Sequence, residues 1–139
     1  MKRYTIWMLL LIAVVSCAPS EDKMVMGKWK LMTRGVNANQ QPCMFIPDEM
    51  ELFTDGTISM SIMPPNARMF YKTAVTRDEK KALAAKNPSL KTGEHILLMK
   101  VTSNGDWTNS AVAYNYTADE NKLSLEMPGW TPSVYGHFR

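Results

Sequence analysis

From Gly27 to Arg139 the chain falls repeatedly into short runs in which apolar and polar residues alternate, each closed by turn residues. A period of two sends successive side chains to opposite faces of a strand, so a chain patterned this way folds as half-buried β-structure. The sharpest case surrounds Asp55-Gly56. In residues 49–54, Met50 and Leu52 share a face; in residues 57–63, Ile58, Met60 and Ile62 alternate with Thr57, Ser59 and Ser61. Two alternating runs around Asp-Gly predict a tight hairpin.

The same reading places strands over residues 27–34, 68–76, 93–102, 107–117, 122–127 and 133–139, giving eight. The last of these follow turns at Asn104-Gly105, Asp119-Glu120-Asn121 and Pro128-Gly129. One stretch breaks the pattern. Thr76-Arg77-Asp78-Glu79 has the spacing of a capping box, residues 80–86 are strong helix formers, and Asn87-Pro88 stops them. With Leu83 and alanines as its only apolar content, this helix is expected to lie on a sheet. The predicted fold is all-β: a small eight-stranded antiparallel up-and-down β-barrel with one short helix. Closing the meander removes exposed strand edges, and a barrel of eight is filled by side chains or holds one small ligand.

The N-terminus predicts an export signal. Met1-Lys2-Arg3 is basic, residues 6–15 are apolar and uncharged, and Ser16-Cys17-Ala18-Pro19 follows. These are the parts of a secretory signal peptide, and the run is short of the roughly 20 residues a membrane-spanning helix needs. Val14-Val15-Ser16-Cys17 resembles a bacterial lipobox. The resemblance implies residues 1–16 as signal peptide, Cys17 as the lipidated first residue, residues 17–26 as a tether and residues 27–139 as the domain. Ala18, in place of a retaining aspartate, implies the outer membrane. Ser20-Glu21-Asp22 is similar to acidic surface-export stretches, and equally suits a solvated tether.

Gly27-Lys28-Trp29 resembles the Gly-x-Trp of lipocalins. That resemblance implies that Gly27 and Trp29 close one end of the barrel, with Arg139 packing across the indole. Residues 52–57 (LFTDGT), and the pairing of Leu123 and Leu125 with a terminal strand bearing Tyr135 and Arg139, are similar to small bacterial lipocalin-like lipoproteins. The chain departs from larger lipocalins in lacking a Thr-Asp-Tyr motif and in placing its helix between strands four and five.

Composition narrows the function. Removing residues 1–16 takes Lys2 and Arg3 from a formal charge of +3, leaving the remainder nearly neutral, and no basic stripe with interleaved aromatics survives for nucleic acid. With Cys17 acylated, Cys43 is the one remaining thiol, read as a small buried apolar side chain or, alternatively, a reactive or metal-binding group. No nucleophile elbow, zinc-protease helix, Cys-x-x-Cys or phosphate loop is present, and His95 and His137 fall on different strands. The chain is therefore read as no enzyme, with no cofactor and no metal. Of twelve Met, all but Met1 and Met8 follow the signal peptide. They suit an adaptable core, with a Cu(I) site of Cys43 and Met as the lesser reading.

Met60, Phe70, Tyr71, Trp107, Tyr114 and Tyr116 are the candidate ligand-binding residues, since Tyr and Trp pair an apolar body with one polar handle. The first functional reading is a lipid-anchored, non-enzymatic binder of a small apolar or amphipathic molecule. The second is an envelope protein-interaction module, such as an assembly factor, an immunity protein or an inhibitor of a hydrolase such as lysozyme. In it, residues 36–47 and 128–133 carry the contact. Lysozyme-inhibitor lipoproteins are similar in size, anchor and layout, although this chain lacks their cysteine pair.

Overall fold

The computed structural model describes residues 20–44, 46–102 and 105–138. The expected signal peptide, Cys17 and Arg139 lie outside the described residues. The chain forms eight antiparallel strands: β1 (Gly27–Thr33), β2 (Glu49–Leu52), β3 (Thr57–Met60), β4 (Met69–Lys72), β5 (Ile96–Lys100), β6 (Val112–Ala118), β7 (Lys122–Glu126) and β8 (Ser133–His137). Each pairs with the next and β8 returns to β1, closing the barrel. This is the eight-stranded antiparallel up-and-down barrel that the alternation predicts, and it fits the lipocalin-like layout that the resemblance implies. In the 53–57 turn the Asp55 carboxylate accepts from the Thr57 backbone N–H and hydroxyl at 3.0 and 2.7 Å.

A meander places its connections at two ends. At the N-terminal end lie the start of β1 and the β2–β3, β4–β5 and β6–β7 links. At the other, here the loop end, lie the long β1–β2 loop and the β3–β4, β5–β6 and β7–β8 links.

The interior is filled. Trp29, Met50, Leu52, Ile58, Met60, Tyr71, Leu97, Met99, Tyr114, Tyr116, Leu123, Leu125 and Tyr135 form one buried cluster, which Val25 joins at the N-terminal end and Cys43 and Ile46 at the loop end. A second cluster lies outside the wall. Helix α1 (Arg77–Lys86) lays Leu83 over Ile96, Leu98 and Ala113, with Val75 and Leu90 beside it. This explains why β5 is buried on both faces and why residues 96–99 read as a continuous apolar run. The capping box forms as predicted, with Thr76 accepting from the Glu79 N–H and Glu79 accepting from the Thr76 N–H.

Four expectations change. Residues 107–110 are a single turn of helix, α2 (Trp107–Ser110), because Asp106 caps it by accepting from the Thr108 N–H at 2.8 Å; β6 begins only at Val112. β3 ends at Met60, where a turn reverses the alternation, so Ile62 is exposed and Met63 packs on the core instead. Strand alternation also places Phe70 on the outer wall, register partner of Lys100, while Tyr71 turns inward. Finally, residues 20–26 are no loose tether: residues 23–25 form a 3-10 turn, and Val25 is fully buried.

Candidate functional site

The N-terminal end is closed by a built plug. The Trp29 indole N–H donates to the Val25 carbonyl at 2.8 Å, and the His137 ring lies 4.9 Å from the Trp29 ring. Gly27 is required here twice over: its φ is +119°, and a Cβ would fall 2.8 Å from the His137 Nε2. The chain before the plug is clamped. Glu21 accepts from the Thr73 N–H and hydroxyl at 2.7 and 2.6 Å, Asp22 donates its N–H to that hydroxyl at 2.7 Å, and the Tyr116 hydroxyl donates to the Asp22 carboxylate at 2.8 Å.

The loop end is closed by the β1–β2 loop. Arg34 organises it, donating to the Cys43 and Ile46 carbonyls at 2.7 and 2.6 Å and to Asp48 at 2.6 Å. The Tyr135 hydroxyl reaches up from the interior to the Pro47 carbonyl at 2.7 Å. The same loop is stitched to the β7–β8 loop: Gly35 N–H donates to Ser133 Oγ, Val36 N–H to Thr131 Oγ1, and Thr131 N–H to the Val36 carbonyl, each at 2.8 Å. A Cβ on Gly35 would overlap the Thr131 carbonyl oxygen. Residues 36–47 and 128–133 therefore form one ridge across the barrel mouth, and neither segment contains a charged residue. Met44 stands out of it, 75% exposed, while its neighbour Cys43 is buried. Ile62 and Val101, 63% and 70% exposed, belong to the other two connections at this end.

Met60, Tyr71, Tyr114 and Tyr116 lie together in the buried interior cluster, whereas Phe70 and Trp107 do not join them. Trp107 packs on the outer cluster, with the buried Lys100 ammonium 4.4 Å above its ring. Burial pushes the Tyr71 and Tyr114 hydroxyls up to about 12 and those of Tyr116 and Tyr135 higher still; the Asp22 carboxylate adds to the shift at Tyr116. The interior thus presents neutral hydroxyls to any occupant, and three of the four are already bonded to the chain.

The other sequence candidates separate. His137 stacks near Trp29 and His95 near Tyr116, 5.5 Å between rings, while Cys43 is at the opposite end. Cys43 Sγ lies 3.8 Å from Met127 Sδ, and the adjacent Met44, which a Cu(I) site of Cys43 and Met could have recruited, faces solvent. Among the described residues no three His, Cys, Asp or Glu side chains converge on a metal position.

Two clefts open on the outer surface. One of about 450 Å³ lies over β1–β3, walled by Lys28, Glu49, Glu51, Ser59, Met63 and Phe138; the other, of about 550 Å³, runs along α1 beside Arg77, Lys80, Lys81 and Thr92. Sequence reasoning missed the first, because its residues are the ordinary polar half of three alternating strands. No protein-family model, curated protein or solved structure matches this chain.

Proposed function

We propose that the protein is a lipid-anchored envelope lipoprotein that works as a protein-interaction module, with the ridge of residues 36–47 and 128–133 as its contact face. The observation that carries this reading is the ridge itself: two uncharged loops bound into one surface, with an apolar tip, over a barrel whose interior is already packed. Loops without charge and with an exposed Met suit the apolar centre of a protein contact better than they suit water. The clamp at Thr73 and Tyr116 supports the same reading from the other side. Cys17 precedes Ser20 by three residues, a reach of about 11 Å at most. Acylation of Cys17 would therefore hold the N-terminal end towards the outer membrane and turn the ridge away from it.

The test is a photo-crosslinking residue placed at position 44 and, as a control, at position 30 on the outer wall. A discrete adduct with one envelope protein from position 44 alone is expected; equal, diffuse products from both positions would overturn the reading. Mass spectrometry of the same protein reads the anchor separately, as an acylated chain beginning at Cys17.

The second reading is a non-enzymatic binder of a small apolar or amphipathic molecule. It is favoured by the adaptable Met side chains of the core (Met50, Met60 and Met99 among them). A lipid-like mass co-purifying in native mass spectrometry would move the conclusion to it.

A further inference from the structure

The cleft along α1 takes part in neither closure of the barrel nor the ridge. Its walls are Arg77, Lys80, Lys81, Ala84 and Thr92, with no acidic residue among them. At about 100° per residue, the four helical members share one side of α1. Leu83 and Asp78 fall on its two flanks, Leu83 against the barrel. The cations of this wall divide in two. Lys72 pairs with Glu79 at 2.8 Å, Lys91 pairs with Glu126 at 3.2 Å, and Lys86 donates to the Thr108 carbonyl at 3.0 Å. Arg77, Lys80 and Lys81 form no ion pair and no side-chain hydrogen bond among the described residues. Glu79, next to Lys80 in the chain, is already engaged by Lys72 and the Thr76 cap. Arg77 also sits in the first turn, where the helix dipole disfavours a cation, so helix stability does not account for it.

Position in the fold says what faces these charges. Helix α1 starts at the N-terminal end and climbs the wall until Lys86 reaches α2 in the β5–β6 link. Its three unpaired cations therefore stand in the half nearer the N-terminal end. The chain that leads to Cys17 leaves the fold at that same end. Glu21 is clamped to Thr73, four residues before Arg77, and Cys17 precedes Glu21 by four residues more, a reach of about 14 Å at most.

We propose that the cleft along α1 docks on the anionic phosphate headgroups of a membrane surface, beside the lipid on Cys17. The proposal rests on the anchor reading above. An acyl chain attaches a protein to a bilayer, and a basic patch beside it adds attraction to anionic lipid. Together they hold the barrel in one orientation instead of letting it swing about residues 17–20. A cleft of about 550 Å³ admits a headgroup, and the Thr92 hydroxyl offers a neutral donor opposite the cations.

The test places the exported, isotope-labelled protein in nanodiscs of phosphatidylcholine, with or without phosphatidylglycerol, each carrying a paramagnetic headgroup label. Amides of residues 77–81 and 92 are expected to broaden with phosphatidylglycerol and to recover at high salt, which screens exposed charges. The triple variant Arg77→Gln, Lys80→Gln, Lys81→Gln, folded by circular dichroism, should lose that broadening, since each cation is worth roughly fivefold in docking. Lys30→Gln, on the outer wall, should keep it. Equal broadening in both lipids, broadening confined to other residues, or an undiminished signal from the triple variant would overturn the proposal. Shifts at these residues with inorganic phosphate and none with phosphatidylglycerol would overturn it too, and assign the cleft to a soluble anion. The mass of the same protein reads the anchor separately. A chain without lipid on Cys17 sinks the anchor reading alone. The docking is then read by sedimentation with phosphatidylglycerol vesicles: binding that the triple variant loses supports it, and no binding overturns it.

Discussion

The Tyr116 hydroxyl donates to the Asp22 carboxylate at 2.8 Å, joining residues ninety-four positions apart. That bond fastens the segment leading into β1 to a strand in the far wall, and the same aspartate caps the 3-10 turn through the Met24 N–H at 2.9 Å. Tyr116→Phe removes the donor and leaves the carboxylate beside a ring edge. We expect a loss of about 1–3 kcal/mol, read as a lower urea midpoint, with faster amide exchange at Met24. An unchanged midpoint would show that the clamp contributes nothing to stability.

The tyrosines predict an alkaline signature. Apart from Tyr4, in the expected signal peptide, every tyrosine of the chain lies in the barrel interior and has its hydroxyl raised. A raised group stays protonated in the fold after it has ionised in the unfolded chain. Its contribution is therefore complete below the unfolded value near 10 and is lost as pH climbs towards the folded value, about 12 for Tyr71 and Tyr114. Absorbance at the phenolate band should show no ordinary tyrosine step near pH 10 in the processed protein, followed by a late rise that coincides with unfolding. A normal step of even one tyrosine would contradict this packing.

Gly35 should tolerate no side chain. A Cβ there meets the Thr131 carbonyl oxygen and the Ser133 hydroxyl together, and both belong to the joint between the two ridge loops. Gly35→Ala is expected to cost about 1–3 kcal/mol, the usual range for overpacking, and to abolish crosslinking from position 44. Met44→Glu, by contrast, alters an exposed tip and should leave stability within about 0.5 kcal/mol while weakening binding of the partner that the position-44 crosslink identifies.

Helix α1 should make stability depend on acid. Burial acts to raise the Glu79 pKa, but hydrogen bonds from Lys72 and from Thr76 outweigh it and the net shift is downward. A lowered carboxylate contributes fully above its unfolded value near 4.3, and the contribution fades as pH falls through the folded value. Urea midpoints measured from pH 6 to pH 3 should fall on the acid side, and Glu79→Gln should flatten that fall. Thr76→Ala, which removes the cap, should cost about 1 kcal/mol at pH 6.

Strand content was legible because alternation and turn chemistry are local. The Asp55-Gly56 hairpin and the Thr76–Glu79 box depend on neighbours a few residues away, and both form as read. What misled was context beyond that range. Phe70 and Tyr71 are equally aromatic, and only the strand's parity relative to the barrel sends one out and the other in. Trp107 looks like a strand opener until the Asp106 cap is weighed against it. The acidic residues before Met24 read as solvated, because nothing near them announces Thr73 and Tyr116 as partners. The ridge was half visible: both loops were candidates, but their joint rests on Gly35 and Ser133, ninety-eight positions apart.

Every strand pairing but one links neighbours along the chain; the exception is the seam between β1 and β8. A growing polypeptide cannot finish this ring until its last stave has emerged. Until then β1 and β7 offer bare edges to any other extended chain nearby, and closure must wait for the most distant contact in the molecule. Premature termination between Glu126 and Ser133 would thus yield a sticky open sheet instead of a slightly shorter version of the same protein.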